Sequence, residues 1–467
     1  MILFRPMTIP PLFLLLAFCL LSPFVSAKPN IIYINVDDLG WADLGYQGSQ
    51  YYETPHIDAL AKSGAIFTNA YAPAANCAPS RASCLTGQWT PRHGVYTVNK
   101  SDRGQAKHRK LIPTKNSLFI QEDEITIGNV FQSAGYTTCH IGKWHITEDP
   151  TKNGFDINIG GNHRGGPYTG GYHSPYTYPN LTQDQKGEYL TDRLTTEAIS
   201  FIQGAKEQPF FLHLAYYTVH SPLQGKKGKI TQFKKKKSSK GQKHATYAAM
   251  ISSLDDNIGK LMKSLADQGL LENTLILFTS DNGGVWNTSK QWPLRAGKGS
   301  YYEGGIREPL ILSWKGKIEA QQSITTPVTG LDFFPTFLAA AELEKPKNKI
   351  LDGANILPLT EGADTLTDRA LYWHFPIYLQ GGHADSQDPI FRTRPGSAIR
   401  VGNWKLIEYF ENGELELYHL RKDPGERNNL KENFKDKTKT LHTMLKIWRE
   451  ETKAPVPTEL NPEYQKP

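Results

Sequence analysis

Four short apolar runs, rich in β-branched and aromatic residues and each followed by polar ones, constrain what this chain can fold into. Asn30–Val36 (NIIYINV) leads into Asp37-Asp38-Leu39-Gly40, and comparable runs are Tyr136–Gly142, Phe210–Tyr217 and Leu275–Thr279. A run that is apolar on both faces reads as a strand buried between layers, and such strands deliver polar residues to their carboxyl ends, where open α/β sheets bind ligands. Between the runs lie helical patterns: Ala248, Ile251, Leu254, Ile258, Leu261 and Leu265 recur three and four apart. Strands that alternate with helices predict a large α/β sheet covered on both faces.

After about Gly362 the texture changes. Ala370–Phe375, Ser397–Val401, Trp404–Tyr409 and Glu414–His419 read as strands in series, followed by a helix near Lys437–Glu450. Consecutive strands without intervening helices predict a small antiparallel sheet. With 467 residues, the chain accommodates two or three domains. The expected division is a leader over 1–27, an N-terminal domain over 28–365 and a C-terminal subdomain over 366–467.

The leader reading rests on the apolar stretch Ile9–Val25, which follows Arg5, contains three prolines and ends in Val25-Ser26-Ala27. This is the pattern of a signal peptide cut after Ala27, so the expected location is secreted or periplasmic. The bulky Phe18 before Cys19 argues against lipid attachment. No later segment approaches the roughly 18 uninterrupted apolar residues of a membrane span. Four cysteines are too few to staple a chain of this size. Cys84 and Cys139 either pair or remain buried thiols. The net charge is +7, and the nine lysines between Lys226 and Lys243, with no acid among them, more than account for it. That run predicts a solvated insertion, or a patch that gathers polyanions; export argues against nucleic acid as the partner.

Two strings carry chemistry. Cys77-Ala78-Pro79-Ser80-Arg81 continues through Ala82-Ser83-Cys84 into Leu85-Thr86-Gly87, and Gly135-Tyr136-Thr137-Thr138 leads to Gly142-Lys143-Trp144-His145. Pro79 and Ser80 suit the first turn of a helix, which places Cys77 at a helix N-terminus, where backbone amides and the helix dipole hold an anion. An unmodified cysteine there is a nucleophile of low pKa. Elsewhere, Asp37 and Asp38 follow one apolar run and Asp281 and Asn282 another, so the pairs can converge at one sheet edge. Clustered carboxylates repel without a cation, and an all-oxygen set selects calcium or magnesium over zinc.

Both strings resemble, at every specified position, the signatures of the formylglycine-dependent sulfatases, C-x-P-S-R-x-x-x-L-T-G and G-Y-x-T-x-x-x-G-K-x-H; the resemblance extends from Pro29 to about Leu430. It implies the alkaline-phosphatase-like fold, a large mixed sheet sandwiched by helices with a smaller C-terminal antiparallel sheet and helix. It implies oxidation of Cys77 to formylglycine (3-oxoalanine) by a maturation enzyme, and one calcium ion held by Asp37, Asp38, Asp281, Asn282 and the modified Cys77. By the same resemblance Lys298 and Lys143 hold the sulfate oxygens, while Arg81 and Lys143 hold and polarise the formylglycine hydroxyls. His220 protonates the leaving alcohol. Asp281 takes the proton of the attacking hydroxyl, and His145 that of the second hydroxyl as sulfate is expelled. His213, His244 and His442 read as structural.

Two further stretches have the composition of substrate-reading loops: Asn162-His163-Arg164-Gly165-Gly166-Pro167-Tyr168 with Tyr172-His173, and Gly381-Gly382-His383-Ala384-Asp385 through Arg392-Thr393-Arg394. Gly mixed with His, Arg, Asp and Tyr suits sugar hydroxyls and sugar faces. Together with Tyr372-Trp373-His374-Phe375-Pro376, which looks like the corresponding segment of sulfatases acting on sulfated galactose or N-acetylgalactosamine, they give the expected function: an exported polysaccharide sulfatase. The alternatives are a phosphomonoester or phosphonate hydrolase of the same superfamily, and a sulfated-glycan binding protein in which Cys77 stays unmodified.

Overall fold

The computed structural model describes residues 28–182, 185–363, 366 and 368–466. The proposed leader and the boundary expected near residue 365 lie outside the described residues. Eight strands form the main sheet: β1 (Asn30–Val36), β2 (Ala65–Phe67), β3 (Thr137–Gly142), β4 (Ile157–Ile159), β5 (Phe210–Ala215), β6 (Thr274–Ser280), β7 (Leu310–Trp314) and β8 (Gln322–Ile324). Their order is β8-β2-β7-β6-β1-β5-β3-β4. The centre is parallel, β1 pairing with both β5 and β6, while β7 runs antiparallel to β6 and to β2. The sheet is therefore mixed, as expected.

Alternation along the central strands sends side chains into two separate cores. Ile32, Ile34, Leu212, Leu214, Ile276 and Phe278 point to one face, where they meet the helices Leu190–Ala205 and Ala245–Asp267. Ile31, Tyr33, Phe211, Leu275 and Leu277 point to the other, against the helices Cys77–Thr86 and Phe333–Ala340. Both faces are dry, which is why the strands read as continuous apolar runs rather than alternating ones. Cys139 lies in the first core and Cys84 in the second, so the sheet separates them; both are free thiols.

The C-terminal sheet is antiparallel, with strands Ala370–Phe375, Gly396–Val401, Trp404–Tyr409 and Glu414–His419 in sequence order. Leu441, Leu445 and Trp448 of the helix Lys435–Glu451 cover one face of it. Its other face packs Leu371, Trp373 and Ile407 against Tyr71, Tyr301 and Ile306 of the larger part. Lys405 crosses that junction and lies buried between Glu303 Oε1 (3.0 Å) and Glu426 Oε1 (2.9 Å).

The lysine-rich segment is solvated along residues 234–241, as expected, but the part before it is anchored to the core. Lys227–Lys234 is a helix whose Phe233 is buried in the core beside Tyr51. Lys226 pairs with Asp192, Lys229 with Asp256 and Lys236 with Glu53. One aromatic residue inside a cationic run anchors it, and acids distant in sequence offset its charge. Among the described residues, no helix is long and apolar enough to cross a membrane.

Candidate active site

Strand register builds the acidic floor of the site. Val36 lies directly across from Ser280, so Asp37-Asp38 and Asp281-Asn282 leave the sheet side by side. The Asp281 amide donates to the Val36 carbonyl (3.0 Å), the Asp38 amide to Asp281 Oδ1 (3.1 Å), and Asn282 Nδ2 to Asp38 Oδ1 (2.8 Å). All four residues are buried. Buried carboxylates require compensation, and three cations supply it. Arg81 Nε lies 2.8 Å from Asp281 Oδ2, Lys143 Nζ 2.7 Å from Asp37 Oδ2, and Lys298 Nζ 2.6 Å from Asp38 Oδ1. Burial works against ionisation of Asp38, but the Lys298 ammonium, with His220 and Lys143, outweighs it and holds the carboxyl well below the usual range. For Asp37 burial wins over Lys143, and its carboxyl is raised.

Cys77 is the first residue of the helix Cys77–Thr86, after the extended N-cap Asn76. Gly87, in the left-handed conformation at φ 68°, closes that helix by donating to the Ser83 carbonyl (2.8 Å); the glycine of L-T-G is thus a C-cap. Lys298 Nζ approaches Cys77 Sγ to 3.8 Å. Burial would raise the thiol, but Lys143 and Lys298 hold it below its ordinary value.

The second string closes the site from the side. Gly142 ends β3 at φ 98°, and a side chain there would bring Cβ to 2.0 Å from the Ala215 carbonyl oxygen. That same oxygen accepts from the Lys143 amide at 2.7 Å. Glycine is required because β5 passes too close for anything larger, and the approach aims Lys143 at Asp37. His145 follows in the left-handed region at φ 72°, its buried Nδ1 without a hydrogen-bond partner among the described residues. Burial first, then Lys143 and Arg81, hold its imidazole well below the usual value. His220 follows β5. Its Nδ1 lies 2.7 Å from the Ser221 carbonyl, so Nδ1 is the donor, and Nε2, 3.8 Å from Asp38 Oδ2, is the atom free to exchange a proton. Burial lowers this imidazole to about 4 in spite of Asp38.

These groups open into one cavity of about 610 Å³, lined by Cys77, Asp38, His145, His220 and Lys298 together with His163, Arg164 and Arg392 of the two expected loops. The first loop packs tightly: a Cβ at Gly165 would fall 2.4 Å from the His145 ring, and one at Gly166 2.9 Å from His220 Nδ1. His163 Nδ1 also pairs with Glu148 Oε2 at 2.7 Å. His383 and Asp385 stand back from the lining residues. His383 stacks flat on Trp286 at 4.2 Å, while Asp385 accepts from Trp286 Nε1 (2.8 Å) and pairs with Arg427 (2.7 Å). The segment 372–376 is core rather than cavity wall: Trp373 donates to the Ala72 carbonyl and Tyr372 stacks on Trp448. Among the described residues, none from 226 to 243 lines the cavity. Sequence reading missed Arg103, Asn99 and Gln380, which do line it; they belong to no string, and only the fold brings them there. His213, His244 and His442 serve the fold by stacking on Tyr33, capping the helix Ala245–Asp267 and pairing with Glu408.

Positive charge gathered around one activated side chain is what an anionic ester demands, since neutralising its oxygens is the main catalytic requirement. Fold and site together define a hydrolase of such esters. The family model described as Sulfatase matches residues 29–343, and one described as N-sulphoglucosamine sulphohydrolase, C-terminal, matches 297–452. This chain belongs to the sulfatase family and is a sulfuric ester hydrolase with the alkaline-phosphatase-like fold. It is 31% identical to a sulfatase of Formosa agariphila over 92% of this chain and 90% of that one. With the N-acetylgalactosamine-6-sulfatase of Homo sapiens it shares 30% identity over 92% and 87%. Among solved structures, Ps i-CgsB in complex with k-i-k-neocarrahexaose is similar at a TM-score of 0.75 and 31% identity, covering 90% of this chain and 92% of that one.

Proposed function

We propose that this chain is an exported sulfatase that hydrolyses a sulfate ester on a galactose or N-acetylgalactosamine unit of a polysaccharide, with a nucleophile derived from Cys77. The observation that carries the reading is Cys77 at the head of its helix, with Lys298 3.8 Å from its sulfur, inside a cavity wide enough for a sugar. Relatives named for N-acetylgalactosamine 6-sulfate, and a structural neighbour holding neocarrahexaose, support the galacto-configured substrate.

The residues present fit a hard divalent cation. Asp37 Oδ1 and Asn282 Oδ1 are buried oxygens without a hydrogen-bond donor among the described residues, and one ligand atom each from Asp37, Asp38 and His220 lies within 4.8 Å of the others. Asp37, Asp38, Asp281 and Asn282 would hold calcium, with magnesium the other hard ion suited to the set; bound there, it would supply positive charge for sulfate oxygens and the nucleophile. Oxidation of Cys77 to formylglycine by a maturation enzyme would supply an aldehyde in place of the thiol, and addition of water to it would give the geminal diol whose hydroxyls serve as nucleophile and proton donor. Arg81 and Lys143 hold that position, and Lys143 and Lys298 neutralise the ester oxygens. His220 Nε2 carries the proton to the leaving alcohol. Its imidazole is neutral in the free site, and an anionic ester beside it raises its affinity for a proton. His145, whose Nδ1 is free, takes the proton released when sulfate departs.

The test is release of inorganic sulfate from galactose, N-acetylgalactosamine and glucosamine sulfates, by protein as prepared, after chelation, and after calcium is restored. Galacto-configured sugars should react fastest. Chelation should stop release, and calcium should restore it and raise Tm, because the ion binds the native state. Faster release from glucosamine sulfate would overturn the substrate reading, and turnover of phosphate esters alone would favour the phosphatase alternative.

A further inference from the structure

Two arginines line the same cavity as Cys77 and Lys298, with no acid to hold them among the described residues. Arg103 and Arg392 both line the cavity that contains Cys77, and both are half-buried. Neither forms an ion pair among the described residues. Neutral oxygens fix them instead: Arg103 Nε donates to Gln380 Oε1 (3.0 Å) and its Nη1 to the Val98 carbonyl (3.2 Å), while Arg392 Nε donates to the Gly381 carbonyl (3.3 Å). Arg103 Nη2 and both terminal nitrogens of Arg392 have no acceptor among the described residues.

Neighbouring arginines behave differently. Arg394, two positions along from Arg392, pairs with Asp388 and with Glu411. Arg427 pairs with Asp385, and Asp102, the residue before Arg103, faces Arg109. Structural arginines in this region are thus given carboxylates, and these two are not.

They are also close to each other and to the reacting groups. The hairpin of Leu379–Gln380 and Phe391–Thr393 supplies Arg392 and, with its turn, two of the three oxygens that steady the pair, those of Gln380 and Gly381. A Cβ at Gly104 would fall 2.8 Å from Phe391 and 3.5 Å from Gln380, so the segment carrying Arg103 lies against this hairpin. A Cβ at Gly299, next to Lys298, would fall 3.3 Å from Arg392 Cδ. Burial, and then Arg103 itself, hold the Arg392 guanidinium below its ordinary pKa against the pull of Asp38. Two like charges kept together in a partly desolvated cavity, without a counter-ion, cost stability. An anionic ligand would offset that cost, and a guanidinium fork matches sulfate and carboxylate alike.

We infer that Arg103 and Arg392 form a second anion subsite, so that the substrate carries, beside the sulfate that is cleaved, a further sulfate or carboxylate on the same or the adjoining sugar. This rests on the sulfatase reading above and deepens it. The chemical class is a multiply anionic galactan or glycosaminoglycan fragment rather than a singly sulfated sugar.

The test compares kcat/KM on three probes that share the cleaved galactose or N-acetylgalactosamine sulfate: a disaccharide with no other charge, one with a second sulfate, and one with a neighbouring uronic acid. Wild type, Arg103→Gln, Arg392→Gln and Arg392→Lys are assayed. Wild type should prefer at least one doubly anionic probe by about tenfold or more, in keeping with one charge-assisted contact. The probe preferred tells sulfate from carboxylate. Each Gln variant should lose most of that preference through KM, with Arg392→Lys falling between. A ratio within one preparation is insensitive to partial loss of folded protein. Equal kcat/KM on all three probes in wild type, or a preference that survives both Gln substitutions, would overturn the subsite while leaving the sulfatase reading intact. Failure of protein with converted Cys77 to release sulfate from any of these probes, while it releases sulfate from another sugar sulfate, would overturn the galacto-configured substrate reading, and the subsite with it.

Discussion

The Nδ1 hydrogen of His220 is committed to the Ser221 carbonyl, 2.7 Å away, which leaves Nε2 as the nitrogen for the proposed proton transfer. Tyr172 holds the turn in place by donating to the carbonyls of Tyr217 (2.6 Å) and His220 (2.9 Å). A general acid matters in proportion to the basicity of the leaving oxygen, so replacing His220 should divide substrates by leaving group. His220→Ala is expected to lower kcat on a sugar sulfate by about 10²- to 10⁴-fold and on nitrophenyl sulfate far less. Steady-state rates on the two substrates check this, and equal losses on both would remove His220 from the role. Cys77, Arg81, Lys143 and His145 were legible in the sequence because two strings hold them at fixed spacing. Arg103 was not, since nothing local distinguishes it from any other arginine in a loop; its meaning comes from the absence of a carboxylate, which only the folded molecule reveals.

At the level of elements, the site depends on how strands end. Register between β1 and β6 sets the four metal-type residues side by side, and the close passage of β5 past Gly142 sets Lys143. Gly142→Ala would combine a side chain at φ 98° with a contact of 2.0 Å to a carbonyl oxygen, and backbone on both sides leaves little room for relief. Strain of this kind is expected to cost about 2–4 kcal/mol in chemical denaturation and to lower activity more than the remaining folded fraction explains, through displacement of Lys143. Wild-type stability in that variant would show that β5 can yield. Elements were readable where both faces are buried: β1 and three of the four C-terminal strands coincide with their apolar runs. In the lysine-rich segment the solvated lysines were readable from composition, but the helix was not, because its one anchor, Phe233, is a single apolar residue inside a charged run.

Across the whole molecule, the larger part brings Cys77, the cations and the histidines together, while the C-terminal part contributes the hairpin that walls the cavity and carries Arg392. A large α/β sheet followed by a small antiparallel one was foreseeable from the change in texture near Gly362; that the first sheet is mixed was foreseeable only from the family resemblance. Which surfaces they press together was not, because the contact joins residues as distant as Glu303 and Lys405. Everything in the account converges on Cys77 as the source of the nucleophile. The most direct measurement pairs the mass of the tryptic peptide containing Cys77 with sulfate release by the same preparation and by Cys77→Ala. In the active preparation the thiol and one hydrogen are expected to have been exchanged for an aldehyde oxygen, activity should follow the converted fraction, and Cys77→Ala should fold but release no sulfate. Full activity from unconverted cysteine, or from Cys77→Ala, would contradict it.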